Sequence, residues 1–318
     1  MATTAAAGGQ QRAADLNVLT RAQRSLWQDA RHRLLRNRAA VGGLAVIAAA
    51  ALLALLAPAI APYDPIKVDT AHNQLEPIWT GSKYTDPAYI LGTDQLGRDI
   101  LSRLLWSARV SMVVGFIPTT VVFFIGIVVG LTAGYLGGWV DQLLMRITDI
   151  VYAFPDFLFV LIIVAAFRNS ALGDLLGGLV LIFLAVAVVG WIGIARLTRG
   201  QVLALKEKEF VEAARSIGAS PGRIMSKHLL PNALAPLIVT AAFAVPGAII
   251  GEATLSFLGI GIKPPTPSWG SMINEGFLGF SGNPWAVLLP ALCISVVMLA
   301  FTFVGDGLRD ALDPRMKL

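Results

Sequence analysis

The most distinctive segment of the sequence is a charged stretch, residues 196–233, between two long apolar stretches. Within it, residues 206–217 are good helix formers, and Gly218 is suited to end that helix because glycine readily adopts the left-handed backbone conformation. Ser220 and Pro221 fit the cap and the first position of a second short helix. Two short helices that meet at a glycine form a rigid projection, which indicates a site for binding a protein partner.

The first of these helices has a predicted apolar face. Phe210, Ala213, Ala214 and Ile217 recur at the spacing i, i+3, i+4 and i+7, with charged residues on the opposite side. The small alanine pair would let the helix backbone approach a groove closely. An ordinary helical hairpin without a partner is the alternative interpretation of the same pattern.

The residue patterns that carry catalysis or metal binding are missing from the sequence. There is no GxxxxGK[ST] phosphate loop, and Gly-Lys does not occur as a dipeptide at all. The histidines His32, His72 and His228 are scattered, no HExxH or GxSxG motif occurs, and Cys293 is the one cysteine. We therefore predict no catalytic residue, no metal site and no cofactor in this chain, and any use of ATP needs a separate ATPase.

The composition identifies the setting as a lipid bilayer. Of the 318 residues, 56% are hydrophobic and only 14% are charged, and the mean hydropathy is +0.69. A soluble domain carries about 25% charged residues, so this chain has too few to cover a surface in water. Its net charge of +5 is explained by cationic loops beside a membrane rather than by nucleic-acid binding.

Six apolar stretches each approach the ~20 residues that cross a hydrocarbon core of about 30 Å. They are residues 39–61, 110–134, 148–167, 175–195, 234–256 and 286–304. We therefore predict an all-α integral membrane protein with about six transmembrane helices.

The predicted domain organisation follows from these stretches. Residues 1–38 form an N-terminal segment that contains an amphipathic helix suited to a membrane interface, and 39–61 form the first span. Residues 62–107 form an extracytoplasmic loop, and 108–318 form a core that contains the 196–233 segment.

Lysine and arginine counts predict the orientation of the chain. Segments 1–38 and 196–233 carry seven such residues each, whereas the 257–285 loop has only Lys263. Because cytoplasmic loops are enriched in these residues, both termini and the 196–233 segment are predicted to be cytoplasmic.

Three glycines on the second span, Gly126, Gly130 and Gly134, form a stripe at every fourth residue. Small residues at this spacing let two helices pack closely. Whether the neighbouring helix belongs to this chain or to a partner stays open at this point.

Two carboxylates in the apolar stretches are candidates for a transport pathway or gate. Glu252 lies toward the outer end of the fifth span, where it could contact a peptide's amino terminus, brace the outer gate or cap the Thr254–Leu258 turn. Asp156 follows Pro155 within the third span. Intramembrane carboxylates are costly and commonly face a bundle interior or a water-filled path. Asp149, three residues after Arg146, is predicted to pair with it on one helix face.

The run Glu212-Ala213-Ala214, the following Gly218, and the run from His228 to Pro231 together resemble the EAA loop of binding-protein-dependent ABC importer permeases. His228 stands where the general pattern has an aliphatic residue, and a histidine there is typical of the peptide-importing branch. The resemblance implies the type I importer permease fold, with this loop, including its apolar face, as a coupling helix that docks in a groove of the ATPase. It also implies that Glu212 faces the ATPase or ties down the loop, and that Gly218 forms the turn.

Three further segments resemble signatures of the C-type permeases of dipeptide and oligopeptide importers. They are residues 91–103, 252–259 and 264–270, in the same order as in those permeases. The first segment is predicted to contain a helix that rests on the outer membrane surface and leads into the second span.

Within these segments, Asp94, Arg98, Asp99 and Trp269 are the candidates for contact with an extracytoplasmic binding protein. A packing and anchoring role for the first segment is the alternative interpretation.

The resemblance also implies an assembly: a second homologous permease, two ATPase subunits that bind ATP and Mg²⁺, and an extracytoplasmic substrate-binding protein, in a bacterial cell membrane. This chain would supply half of the translocation pathway for peptides and no chemistry of its own. Nickel or another small solute is an alternative cargo. A secondary transporter or channel is an alternative class, which the lack of an evident internal repeat disfavours.

Overall fold

The computed structural model describes residues 26–313, and within this range the regular secondary structure is entirely helical. Residues 1–25 of the predicted N-terminal segment, and residues 314–318, lie outside the described residues. The helices are α1 (Leu26–Arg36), α2 (Arg38–Ile60), α3 (Ile100–Leu136), α4 (Gly138–Tyr152), α5 (Asp156–Phe167), α6 (Ala171–Asp174), α7 (Leu179–Leu205), α8 (Glu209–Ser216), α9 (Pro221–Ile224), α10 (Leu230–Phe257), α11 (Trp269–Phe277) and α12 (Trp285–Leu312). Short 3₁₀ turns occupy Thr70–His72, Ile78–Thr80 and Leu175–Gly178, and a π turn occupies Met225–Leu229.

The prediction of about six spans is confirmed. Five segments are long and apolar enough to cross a membrane, namely α2, α3, α6 with α7, α9 with α10, and α12. The sixth is the pair α4 and α5, which is bent by 76°. The predicted span over 148–167 is therefore broken near Pro155, and its first half begins earlier than predicted, at Gly138. Pro155 lacks an N–H and disfavours helical geometry in the residue before it, so the helix breaks there.

Two helices run well beyond the apolar stretches that predicted them. α3 has 37 residues, about 55 Å, and begins at Ile100, where the Asp99 carboxylate accepts from the Ser102 N–H over 2.8 Å. The predicted loop 62–107 is thus too long at its C-terminal end. α7 continues to Leu205, so the non-spanning part of 196–233 is shorter than predicted. Hydropathy marks the apolar part of a helix, whereas the helix itself ends at its cap.

The glycine stripe of α3 packs against α7 of the same chain. A methyl group on Gly126 would collide with Ile194, one on Gly130 with the Ala195 carbonyl, and one on Gly134 with Val202 at 2.9 Å. The helix that packs closely on the glycine stripe therefore belongs to this chain rather than to a partner, a choice that the sequence left open.

The N-terminal helix α1 lies against the last turns of α12. Ala30 is buried there, and the Leu34 side chain approaches Gly307. Trp27 and Leu35 remain about half exposed, which leaves an apolar strip on the outer side of this helix. The predicted amphipathic helix is present, and it also serves as packing for the C-terminal helix.

The bundle has two ends that we name for the helices at them. At the α8 end, α1, the start of α10 and the C-terminal end of α12 line one cleft. At the α11 end, residues 61–99 pack against the 258–284 connection, and the Asn283 amide donates to the carbonyls of Leu75 and Thr93 over 2.7 and 3.0 Å.

Candidate functional site

The α8 end carries a sharp corner between two short helices. After α8, Gly218 has a φ of +79°, its N–H donates to the Arg215 carbonyl over 2.9 Å, and the Ala219 N–H donates to the Ala214 carbonyl over 3.0 Å. This pair of hydrogen bonds is the Schellman arrangement, which requires a left-handed residue and so favours glycine. α9 then begins with Pro221, as the sequence predicts.

The corner is fixed to the long helices by a buried apolar cluster. From the corner segment come Val211, Ala214, Ile224 and Leu229, and from α3 and α7 come Leu131 and Val202. Val211, Val202 and Leu229 have no exposed surface, so the corner is part of the bundle rather than a free loop.

The predicted apolar face of α8 is only partly right. Ala214 is 3% exposed and faces the bundle, whereas Phe210, Ala213 and Ile217 face outward. The sequence shows two apolar faces at helical spacing on α8, and only the packing on α3 and α7 decides which one is internal. We call Phe210, Ala213 and Ile217 the α8 ridge; Ile217 is 86% exposed.

The other residues of the predicted coupling set lie at different positions of the α8 end. Glu212 is exposed, and no salt bridge involves it within residues 26–313. His228 is half-buried in the π turn, and its carbonyl accepts from the Asn232 amide over 2.7 Å. Pro231 is exposed beside α1, on the wall of the cleft at this end.

A cavity of about 300 Å³ lies between α3, α5, α7 and α10. Its walls are mostly small or apolar residues, among them Thr119, Gly190, Gly247 and Gly251. The Asp156 side chain lines this cavity at the start of α5 and is exposed. Asp156, one of the two predicted pathway or gate candidates, therefore borders an open space between four helices.

Glu252, the other pathway candidate, lies elsewhere. It is 1% exposed, and one carboxylate oxygen accepts from the hydroxyls of Ser256 and Ser268 over 2.5 and 2.8 Å. Ser268 also caps α11, accepting from the Ser271 N–H over 3.1 Å. The carboxylate thus ties the end of α10 to the start of α11. This closed position agrees with the bracing role.

An ion cluster holds the α11 end together. Asp94 accepts from Arg98 over 2.7 Å and from Arg103 over 3.1 Å, and Arg103 also donates to Glu275 of α11 over 2.7 Å. Arg98 pairs with Glu275 as well. The Arg103 side chain is only 2% exposed. Sequence reasoning missed Arg103 and Glu275, because residues 172 apart give no local signal of pairing.

The candidates for binding-protein contact are all inside this region. Asp94, Arg98, Asp99 and Trp269 are each less than 9% exposed. Asp99 caps α3, and burial raises the pKa of its carboxyl although hydrogen bonds from Ser102 lower it. The prediction of surface contact through these side chains is wrong in this structure, since charge pairing and capping keep them internal. The packing and anchoring alternative agrees with their positions.

Two further ion pairs connect α4 to α7. Asp149 accepts from Arg196 over 2.7 Å rather than pairing with Arg146 as predicted, and Asp141 pairs with Arg199. Arg196 also lies over the Tyr152 ring at 4.2 Å. The ion pair between Arg196 and Asp149 thus forms in place of the pair between Arg146 and Asp149 that the sequence spacing predicts. Within the described residues, no group of three or more His, Cys, Asp or Glu side chains is placed to hold a metal ion.

Comparison with known proteins places these features in a family. Residues 126–318 match the family described as the binding-protein-dependent transport system inner membrane component. Residues 25–77 match the N-terminal transmembrane domain of oligopeptide transport permease C. The chain belongs to this permease family.

The curated relatives of the permease cover nearly its whole length. It is 39% identical over 292 residues to the oligopeptide transport system permease protein OppC of Haemophilus influenzae, covering 92% of this chain and 89% of the relative. It is 38% identical over 309 residues to the dipeptide transport system permease protein DppC of Bacillus subtilis, covering 97% and 92%. OppC of Escherichia coli is 41% identical over 292 residues, covering 92% of each chain.

A solved structure shows the same fold. The permease aligns with a chain of the MetNI methionine ABC transporter in an inward facing conformation, with a TM-score of 0.51 and 21% identity. The alignment covers 67% of this chain and 98% of that one. The fold predicted from the EAA-loop resemblance, that of an ABC importer permease, is confirmed.

Proposed function

We propose that this permease is the C-type membrane subunit of a peptide importer in a bacterial cell membrane. It works with a second homologous permease, two ATPase subunits and an extracytoplasmic binding protein. The cargo assignment rests on the relatives, whose names are oligopeptide and dipeptide transport permeases, and these names favour peptides over nickel. The arginine and lysine counts put the α8 end, with both termini, on the cytoplasmic side.

The α8 ridge is the observation that carries the proposal. An apolar side chain such as Ile217, 86% exposed on a rigid corner, gains about 1.5–3 kcal/mol when a partner covers it. The ridge is exposed and apolar, and the inner face of its helix is packed on the bundle core, so it suits an apolar groove on a soluble subunit. The ATPases are that partner, and they bind the ATP and Mg²⁺ that this chain has no motif to hold.

The corner can pass movement to the spans because its inner face is packed on them. Val211 and Leu229 have no exposed surface and belong to the cluster that includes Leu131 of α3 and Val202 of α7. When the ATPases close on ATP, a displacement of the α8 ridge therefore moves α3 and α7 with it. The permease supplies half of the pathway and carries this force, and it makes or breaks no covalent bond.

The experiment compares Ile217→Asp and Glu212→Lys with Ser226→Asp, an exposed position outside the α8 ridge. The complex is purified through a tag on the ATPase and reconstituted in vesicles with the binding protein. Both test variants are expected to lower ATPase copurification or peptide uptake by about tenfold, which corresponds to losing ~1.4 kcal/mol of contact. The Ser226 variant should match the parent. Normal assembly and uptake in Ile217→Asp would refute docking through the α8 ridge.

A further inference from the structure

The cavity beside α5 is lined by the carboxylate of Asp156, which lies unusually deep in the membrane. α5 has 12 residues, so Asp156 lies about 17 Å along the axis from Phe167. The Phe167 end is at the α11 end of the bundle, because the next residue, Arg168, donates to the Gly261 carbonyl over 3.0 Å. In a hydrocarbon core of about 30 Å, this places the Asp156 carboxylate near the middle of the membrane.

No protein group neutralises this carboxylate within residues 26–313. None of the hydrogen bonds or salt bridges among these residues involves the Asp156 side chain, although it lines the cavity and is exposed. The arginines of α7 that pair with α4 are engaged elsewhere, Arg196 with Asp149 and Arg199 with Asp141. An unpaired intramembrane charge is costly unless water or a cationic group reaches it.

The opposite wall leaves room for an occupant. On α10, a methyl group added at Gly247 or Gly251 would meet nothing within 4 Å, so these glycines are not explained by close helix packing. In contrast, the glycine stripe that begins at Gly126 is explained by the close packing of α7 on it. The volume of about 300 Å³ is at the lower end of the range for small-molecule sites.

We propose that this cavity is a subsite of the translocation pathway, in which Asp156 binds the ammonium group of a passing peptide. The proposal rests on the proposed function, since it takes the peptide as the cargo. The apolar walls of α3, α7 and α10 accept side chains without sequence preference, and the carboxylate is the one charged group among the described residues that line the cavity. An ammonium group on the peptide, whether the α-amino group or a lysine side chain, has the complementary charge.

A structural role for the same carboxylate makes a different prediction. A negative charge in the first turn of α5 also complements the helix dipole, an effect of about 0.3–1 kcal/mol at exposed positions. That role requires neither water access nor a ligand. It also predicts that cationic and anionic reagents entering the cavity react equally fast. The test therefore measures local charge selectivity rather than stability.

The probe is a cysteine at Gly247 in the assembled complex, with Cys293→Ser removing the native thiol. Reaction rates are measured with a cationic and an anionic methanethiosulfonate of similar size. The cationic reagent is expected to react about tenfold faster or more, and Asp156→Asn should abolish this preference, because opposite charges within several ångströms attract strongly in a partly buried site. Leu52→Cys, at an exposed apolar position of α2, is the control and should react with neither reagent.

Peptide protection identifies the group that is bound. Trialanine should slow the labelling of Gly247→Cys several-fold, whereas N-acetyl-trialanine should not. An N-acetylated peptide containing lysine distinguishes a side-chain ammonium from the α-ammonium, and protection by either supports the subsite.

The outcomes separate this proposal from the function on which it rests. Absence of peptide uptake by the complex with the unaltered chain would refute the proposed function. Normal uptake with an unreactive cysteine, or with a charge preference that Asp156→Asn leaves unchanged, would refute the subsite alone. If Gly247→Cys does not assemble, Gly251→Cys, which is equally free of neighbours, takes its place.

Discussion

Arg199 and Asp141 form a two-pronged ion pair, in which Nε donates to Oδ1 and Nη2 donates to Oδ2, each over 2.6 Å. The pair joins α7 to α4, two helices that are distant in the chain. α7 runs into the corner at α8, and α4 leads through the 76° bend to Asp156. This ion pair thus joins the helix that leads into the α8 corner to the helix that precedes the cavity wall at Asp156.

Removing this ion pair is expected to weaken the link between ATP hydrolysis and transport. Asp141→Asn removes the charge but keeps the shape, so we expect a loss of about 1 kcal/mol in stability, given that the pair is bidentate and only partly exposed. Peptide uptake in vesicles should fall several-fold while ATP hydrolysis continues. The exchanged pair, Asp141→Arg with Arg199→Asp, should recover part of the uptake. If the exchange is no better than the single variants, the connection is not made through this pair.

The corner glycine can be tested with a matched control. Gly218→Ala forces alanine into a φ of +79°, which costs about 1 kcal/mol, although nothing lies within 4 Å of the added methyl. Gly222→Ala also adds a methyl in open space, but within the helix α9. We expect Gly218→Ala to lower copurification with the ATPase or coupled uptake several-fold, and Gly222→Ala to resemble the parent. Identical behaviour of the two variants would show that the left-handed turn is dispensable.

The contact between α3 and α7 should be sensitive to a single methyl group. Gly130→Ala directs a methyl at the Ala195 carbonyl and Thr198, so overpacking is expected to cost about 1–3 kcal/mol. Gly193→Ala on α7 meets no neighbouring atom and is the control. Thermal unfolding in detergent should show a clear decrease for the first variant and little change for the second. A Gly130→Ala variant as stable as the parent would contradict this packing.

Two substitutions at Glu252 distinguish the hydrogen bonds that its carboxylate accepts from a role of its negative charge. Glu252→Gln keeps an oxygen that accepts from Ser256 and Ser268, whereas Glu252→Leu leaves both buried hydroxyls without this acceptor. Each lost hydrogen bond is worth about 1 kcal/mol. We therefore expect Gln to be tolerated and Leu to lower thermal stability and uptake. Equal loss in both variants would mean that the negative charge itself is needed.

Prediction from the sequence succeeded where the signal is local. The apolar stretches located the spans, and Gly218 with Pro221 located the corner, since length, hydropathy and backbone preference act over a few residues. It failed where one pattern allows two structures. Ala214 fits the apolar face of α8 as well as Ala213 does, and the burial of Ala214 follows from packing on α3 and α7.

The α11 end shows the same limit for charged residues. Asp94 and Arg98 resemble surface residues in the sequence, but Glu275, which pairs with Arg98 and Arg103, lies far along the chain. Charge pairing across such a separation has no periodicity to reveal it. Sequence motifs identified the correct segments there and the wrong role for their side chains.

For this protein, the sequence by itself determined the membrane setting, the approximate spans, the corner at Gly218 and the permease family. These properties depend on composition and on residues close together in the chain. Only the tertiary structure decided that α7 packs on the glycine stripe, that the buried Glu252 carboxylate accepts from Ser256 and Ser268, and that Asp156 lines the cavity. These properties depend on which helix faces which, and the free energy that selects one packing is distributed over contacts between residues far apart in the chain.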